Sequence, residues 1–274
     1  MTLLSWWRSG KKKKEAAPEQ PVRVLSYQCA VVQGLGSRDQ QEDAWKLVNA
    51  SDVSVIRQEG ILALVADGMG GMEDGALASA TGIRVMEDDF RKMDRQKPLP
   101  EQLVRSLRHA ADEVCGLLRG NGGSTMIACM LYQEKLCYAG VGDSYLYLLR
   151  NGSLIRINRE QNVLHKRYLE WIQDGLVEAS AGEGVSQPHA IIGFLGAKSL
   201  EDIDSLRRPM PLENGDVLLL CSDGVGGVLS PEEVREILSC GDANRASAAL
   251  HQSVLAKNRK HQDNFTAIVI CCKK

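Results

Sequence analysis

The chain is 274 residues long, 44% hydrophobic and 25% charged, with a formal net charge of −2. This is ordinary globular usage, with enough apolar residues for a sizeable core, and it excludes a fibrous or fully disordered chain. No basic excess exists beyond a short N-terminal lysine run, so a nucleic-acid-binding role has no electrostatic footprint.

Residues 1–21 read as a disordered N-terminal tail, and residues 22–274 as one domain. Within the tail, Trp6-Trp7 beside Arg8 and Lys11 to Lys14 offer an alternative, an interfacial anchor on an anionic membrane. No stretch approaches the roughly 20 apolar residues of a membrane-spanning helix. The first residues are also too short for a signal-peptide core, so the expectation is a cytoplasmic protein.

From Val22 the texture changes. Val22 to Gln33, Ala44 to Asn49 and Ile61 to Ala66 predict strands, the last an apolar run ending in Asp67-Gly68. Gly75 to Met93 and Glu101 to Arg119 have helical spacing and are separated by Pro98 and Pro100. Strands are predicted over Thr125 to Tyr132, Lys135 to Gly140, Tyr145 to Leu149 and Leu154 to Ile157. Gln133-Glu134 and Asn151-Gly152 supply the turns between them.

Gln161 to Gln173 has helical spacing, with Leu164, Tyr168 and Trp171 on one stripe, and Asp174 to His189 is polar and Gly-rich. Asp216 to Cys221 is an apolar strand, and Ser230-Pro231-Glu232-Glu233 opens a helix with a capping-box pattern. A helix over Asp242 to Lys257 and a strand over Phe265 to Cys272 close the chain. Strands in runs with helices in pairs predict an α+β fold.

The eight cysteines and five histidines form no C-x-x-C and no H-E-x-x-H. Cys129, Cys137, Cys221 and Cys271 lie inside apolar runs, which predicts buried reduced thiols. His165 and His189 fall in the polar segment, His109 and His251 on predicted helices, and His261 beside Asp263 in a loop.

The acids carry more information. Glu42-Asp43, Asp67, Asp223 and Asp263 stand at strand ends or in polar turns, and Asp67 and Asp223 are each followed by glycine. An apolar strand running into a carboxylate places that charge at the rim of the core. Burying it unpaired costs several kcal/mol, so it calls for a cation or water. Carboxylates without imidazole or thiolate partners suit a hard divalent ion, Mg²⁺ or Mn²⁺. Two such ions can lower the pKa of a bridging water and aim it at phosphorus. Any single Asp-Gly is more often a turn than a ligand; the ordered set is what narrows the reading.

That set is Arg38-x-x-x-Glu42-Asp43, Asp67-Gly68-Met69-Gly70-Gly71, Gly123-Ser124-Thr125, Gly142-Asp143-Ser144, Ser222-Asp223-Gly224 and Asp263-Asn264-x-Thr266. In this order it resembles the type 2C protein phosphatases, the metal-dependent Ser/Thr phosphatases, and the Gly-Met-Gly-Gly form looks like their bacterial branch. The resemblance spans Val24 to Cys271. It implies a central sandwich of two antiparallel sheets flanked by antiparallel helix pairs, in four αββα layers.

It further implies two Mn²⁺ or Mg²⁺ ions, with Asp67 bridging them and the Gly68 carbonyl on one. Asp223 and Asp263 would complete the first site, Glu42 or Asp43 would serve the second, one directly and the other through water, and Asn264 would support from behind. Asp143 matches the position of a third ion. Arg38 would bind the substrate phosphate through its planar, permanently charged fork; pairing with Asp39 is the bland alternative. The implied partners are phosphorylated proteins, such as targets of a Ser/Thr kinase, and the chain is expected to be monomeric.

Three departures stand out. Tyr145 replaces an arginine that many members carry after Gly-Asp-Ser. Met69 replaces a histidine of some eukaryotic members, so a metal-bound water would protonate the leaving group. Arg159 to Asn162 replaces a threonine, aspartate and histidine at the start of a flap over Arg159 to His189, which is expected to select protein substrates without entering the chemistry. A catalytically inactive phosphoprotein-binding module is the competing reading, and the intact acids argue against it. A narrower enzyme, acting on a regulator of a sigma-factor cascade, keeps the same chemistry.

Overall fold

The computed structural model describes residues 24–70, 72–175, 185–187, 190–200 and 202–274. The N-terminal tail, Gly71, His189 and most of Ala179 to Ser186 lie outside the described residues.

The elements run β1 (Ser26–Gly34), β2 (Asp43–Val48), α1 (Val53–Glu59), β3 (Ile61–Met69), α2 (Met72–Lys92) and α3 (Leu99–Leu118). Next come β4 (Gly123–Ser124), β5 (Met126–Tyr132), β6 (Lys135–Val141), β7 (Tyr145–Arg150), β8 (Ser153–Arg156) and α4 (Val163–Gln173). The chain ends with β9 (Asp204–Ser205), β10 (Met210–Pro211), β11 (Val217–Cys221), α5 (Asp223–Gly226), α6 (Pro231–Leu238), α7 (Ala243–Ala256) and β12 (Phe265–Lys273).

The strands form two antiparallel sheets. One has the order β1-β12-β11-β7-β8; the other has β10-β6-β5-β3-β2, with β4 on β3 and β9 on β6. β3 explains why they stack. Its Ile61, Ala63 and Val65 pack into the layer between the sheets, while Leu62, Leu64 and Ala66 pack under α2 and α3. Both faces are buried, so the strand reads as a continuous apolar run; each Leu or Ile so buried contributes about 2 kcal/mol. On the other side α6 and α7 cover β11 and β12 through Val234, Leu238, Leu250 and Val254. Four layers result, the arrangement implied by the resemblance.

Local signals hold where the chemistry is local. Gln133 and Glu134 at φ 50° and 57°, and Asn151 and Gly152 at φ 51° and 77°, make tight hairpin turns. Ser230 and Glu233 form a reciprocal capping box on α6.

Some boundaries differ from expectation. α3 starts at Leu99 with Pro98 as its cap and Pro100 in its first turn, where the missing N–H is harmless. α1 carries no apolar period and is announced only by Asp52, whose side chain accepts from the Ser54 and Val55 amides. Asp223 opens a one-turn helix, where the sequence suggested only a turn.

Candidate active site

The site lies at one end of the sandwich, where β3, β6, β11 and the N-terminal ends of β2 and β12 meet. β2 and β3 pair with Asp43 directly opposite Asp67, placing two carboxylates side by side. β11 delivers Ser222-Asp223 to the same end, and Gln262-Asp263-Asn264 precedes β12. A cleft of 490 Å³ opens there, lined by Arg38, Glu42, Asp67, Gly68, Asp143, Asp223, Asp263 and Asn264 among others. Asp43 is buried beneath it. The structure thus brings together all the site residues suggested by the sequence.

Hydroxyl and amide groups hold the acids in place. Ser222 Oγ donates to Asp43 Oδ2 at 2.8 Å and accepts the Thr266 amide at 3.0 Å. The Asp67 amide donates to Thr125 Oγ1, which meets Ser144 Oγ at 2.8 Å. Asn264 Oδ1 accepts the Glu42 amide at 2.7 Å, and its Nδ2 donates to the Leu35 and Gln40 carbonyls at 2.9 and 3.1 Å. One buried side chain therefore fixes the loop that carries Arg38 and Glu42. At Gly68 a Cβ would collide with the Gly75 and Glu42 carbonyls, so the β3 end can approach α2 only without a side chain.

Thr125, Ser144 and Ser222 carry supporting roles with no prior assignment, as does Gln262, whose Nε2 donates to the Gly224 carbonyl at 3.1 Å. Their signal is uncharged polar residues inside or next to the acidic motifs. Arg38 pairs with Asp263, at 2.6 Å, and not with Asp39.

The electrostatics are those of crowded acids. Burial pushes Asp67 well above the usual carboxylate range, and Asp43, Asp223, Asp143 and Asp263 add to it. Asp43 is pushed up to about 6, first by burial, against the stabilising hydrogen bonds of Thr266 and Ser222. Asp143 also rises to about 6, through burial and then the Asp223 charge. Asp223 and Glu42 are raised, each chiefly by burial.

A divalent cation fits this donor set. Asp43 Oδ1 and Asp223 Oδ1 are buried with no hydrogen-bond partner, a costly state unless something positive meets them. Among the described residues no three acids close on a point as a preformed cage. Glu42, Asp67, Asp143, Asp223 and Asp263 line the cleft around its opening.

Comparison with known proteins agrees with this geometry. The family model for protein phosphatase 2C matches residues 35–257. The serine/threonine phosphatase stp of Listeria monocytogenes is 25% identical over 219 residues, spanning 76% of this chain and 83% of that protein. PppA, a key regulatory component of T6SS in Pseudomonas aeruginosa, superposes with a TM-score of 0.69 at 26% identity, covering 91% of this chain and 99% of PppA. The catalytic domain of the phosphatase PstP, solved with 2 manganese ions, shares the fold at a TM-score of 0.69 and 23% identity, covering 92% and 99% of the two chains. Taken with the six ordered motifs and the ring of acids they build, the match over residues 35–257 means that the chain belongs to the protein phosphatase 2C family of serine/threonine phosphatases.

Proposed function

We propose that this chain hydrolyses phosphoserine and phosphothreonine in proteins with two divalent cations, Mn²⁺ or Mg²⁺. The reading assigns Asp67 to both ions, the Gly68 carbonyl, Asp223 and Asp263 to the first, Glu42 and Asp43 to the second, and Asp143 to a third. The observation that carries it is the pair of buried, unpartnered oxygens, Asp43 Oδ1 and Asp223 Oδ1, beside a cleft lined with further acid. Residues 22–274 would serve as one catalytic domain, with residues 1–21 as its tail.

When bound, the ions would supply Lewis acidity, activating a water and neutralising phosphate charge. The chain's own groups do the positioning. Arg38 stands on the rim with its side chain 55% exposed, where its fork can donate to two phosphate oxygens of an arriving phosphoprotein. Asn264 keeps the Arg38 loop against the acids. Ser222 and Thr125 fix the backbone and carboxylates from below, so that little reorganisation accompanies the reaction. Met69 lines the wall and brings no proton.

The test is hydrolysis of a phosphothreonine peptide with Mn²⁺ and with chelator, for wild type and Asp67→Ala. Turnover that needs both Mn²⁺ and Asp67 supports the reading. Turnover indifferent to chelator overturns the metal assignment, and peptide binding without turnover would favour the inactive module.

A further inference from the structure

Arg156 lies on β8, outside the cleft lining, yet its side chain reaches the turn that carries Asp143. Its guanidinium donates to the Asp143 carbonyl at 3.1 Å and the Ser144 carbonyl at 3.4 Å. It pairs with Glu160 at 3.0 Å and reaches Asn158 Oδ1 at 3.4 Å. The same guanidinium lies 3.9 Å from the centre of the Tyr145 ring. That ring in turn touches the backbone of α5: a Cβ at Gly226 would collide with it. α5 begins at Asp223, which lines the same cleft as Asp143.

We propose that Arg156 is a positioning residue whose guanidinium, seated on Tyr145, sets the Asp143 turn against the Asp223 end of α5. Tyr145, which departs from the family pattern, is the platform for a cation that arrives from the next strand. The task suits arginine because a planar fork can stack on a ring while donating in-plane to two carbonyls, which a lysine ammonium cannot do. Asn158 reinforces the same frame, accepting from the Leu146 amide at 2.7 Å and donating to the Ser144 carbonyl at 2.8 Å.

The inference rests on the metal-site reading above, and the test separates the two. Mn²⁺ binding is measured by calorimetry on wild type, Arg156→Met, Arg156→Lys, Tyr145→Leu, the Arg156→Met/Tyr145→Leu pair and Asp223→Asn. kcat and KM are measured on p-nitrophenyl phosphate, and metal-free Tm on each variant.

Arg156→Met and Tyr145→Leu should each weaken Mn²⁺ binding roughly tenfold, the usual penalty for losing a group that orients a ligand. kcat should fall more than KM rises, Arg156→Lys should recover only part of the loss, and the double variant should be little worse than either single one. A Tm drop with Mn²⁺ affinity within about twofold of wild type would make Arg156 merely structural, and strictly additive losses would dissolve the Arg156–Tyr145 unit. If Arg156→Met does not fold, Arg156→Lys and Tyr145→Leu decide the matter. Mn²⁺ binding unchanged in Asp223→Asn would instead overturn the metal-site reading itself.

Discussion

Arg38 donates a hydrogen bond to Asp263 at 2.6 Å, joining residues 225 positions apart in sequence. Both side chains are well exposed, at 55% and 41%, so the ion pair is worth no more than about 1 kcal/mol and exchanges easily. It nonetheless engages two residues with different proposed tasks. A cation drawn to Asp263 would release Arg38, and the freed fork would then face an incoming phosphate.

Arg38→Ala should therefore damage substrate use and spare metal binding. Losing a bidentate, charge-assisted contact to phosphate should lower kcat/KM by roughly thirty- to a thousandfold. The Mn²⁺ isotherm should stay at wild-type affinity or tighten, because Asp263 loses a competitor. A collapse of Mn²⁺ affinity would show that Arg38 holds the site together structurally.

Asp67→Asn and Asp223→Asn should each remove nearly all Mn²⁺-dependent turnover while raising the Tm of the metal-free protein. Burial and mutual repulsion raise both acids, and a neutral isostere relieves both penalties. A gain of about 1 kcal/mol would appear as a rise of roughly 2–4 °C in a domain of this size. Near-normal turnover in either variant would contradict the two-cation scheme.

The same crowding sets a pH dependence. Asp43 and Asp143 titrate near 6 in the folded protein against 3.8 ordinarily. A raised folded pKa means that the native state holds protons the unfolded chain has released. Its stabilisation is thus complete below about pH 4 and is lost as pH rises through about 6. Metal-free wild type should lose Tm over that window relative to Asp43→Asn, measured side by side by thermal unfolding. Equal slopes for the two proteins would place the Asp43 shift elsewhere.

How much of this was legible in the sequence depends on the distance over which each interaction acts. Asp67 and Asp223 announce themselves because an apolar strand ending in Asp-Gly is a local pattern. Likewise the α6 capping box spans only Ser230 to Glu233. The pairing of Asp43 with Asp67 is a matter of strand register, which one sequence does not encode in any short window. Asn264 is visible as a motif member, but its grip on the 35–42 loop runs to backbone groups more than two hundred residues away. Arg156 is the extreme case. Its carbonyl partners at Asp143 and Ser144 leave no side-chain signature, and Glu160 four residues on reads only as an ordinary local ion pair.

α4 supplies the last prediction. Its expected stripe does not sink into the core: α4 has no buried residue. Tyr168 is 40% exposed and Ile172 61%, with Tyr168 edge-on to Trp171 at 5.5 Å. Beyond its Asn162 cap the helix connects back toward the cleft through Ile192, whose amide donates to Gln161, next to Ile191 in the cleft wall. A partly exposed apolar face this near a phosphate site is suited to contact a protein substrate. Tyr168→Ser and Ile172→Ser should lower kcat/KM on a phosphoprotein roughly tenfold, the worth of one lost apolar contact or two. Turnover of p-nitrophenyl phosphate, too small to reach α4, should be unchanged. Equal losses on both substrates would mean that α4 props up the acids and does not meet the protein.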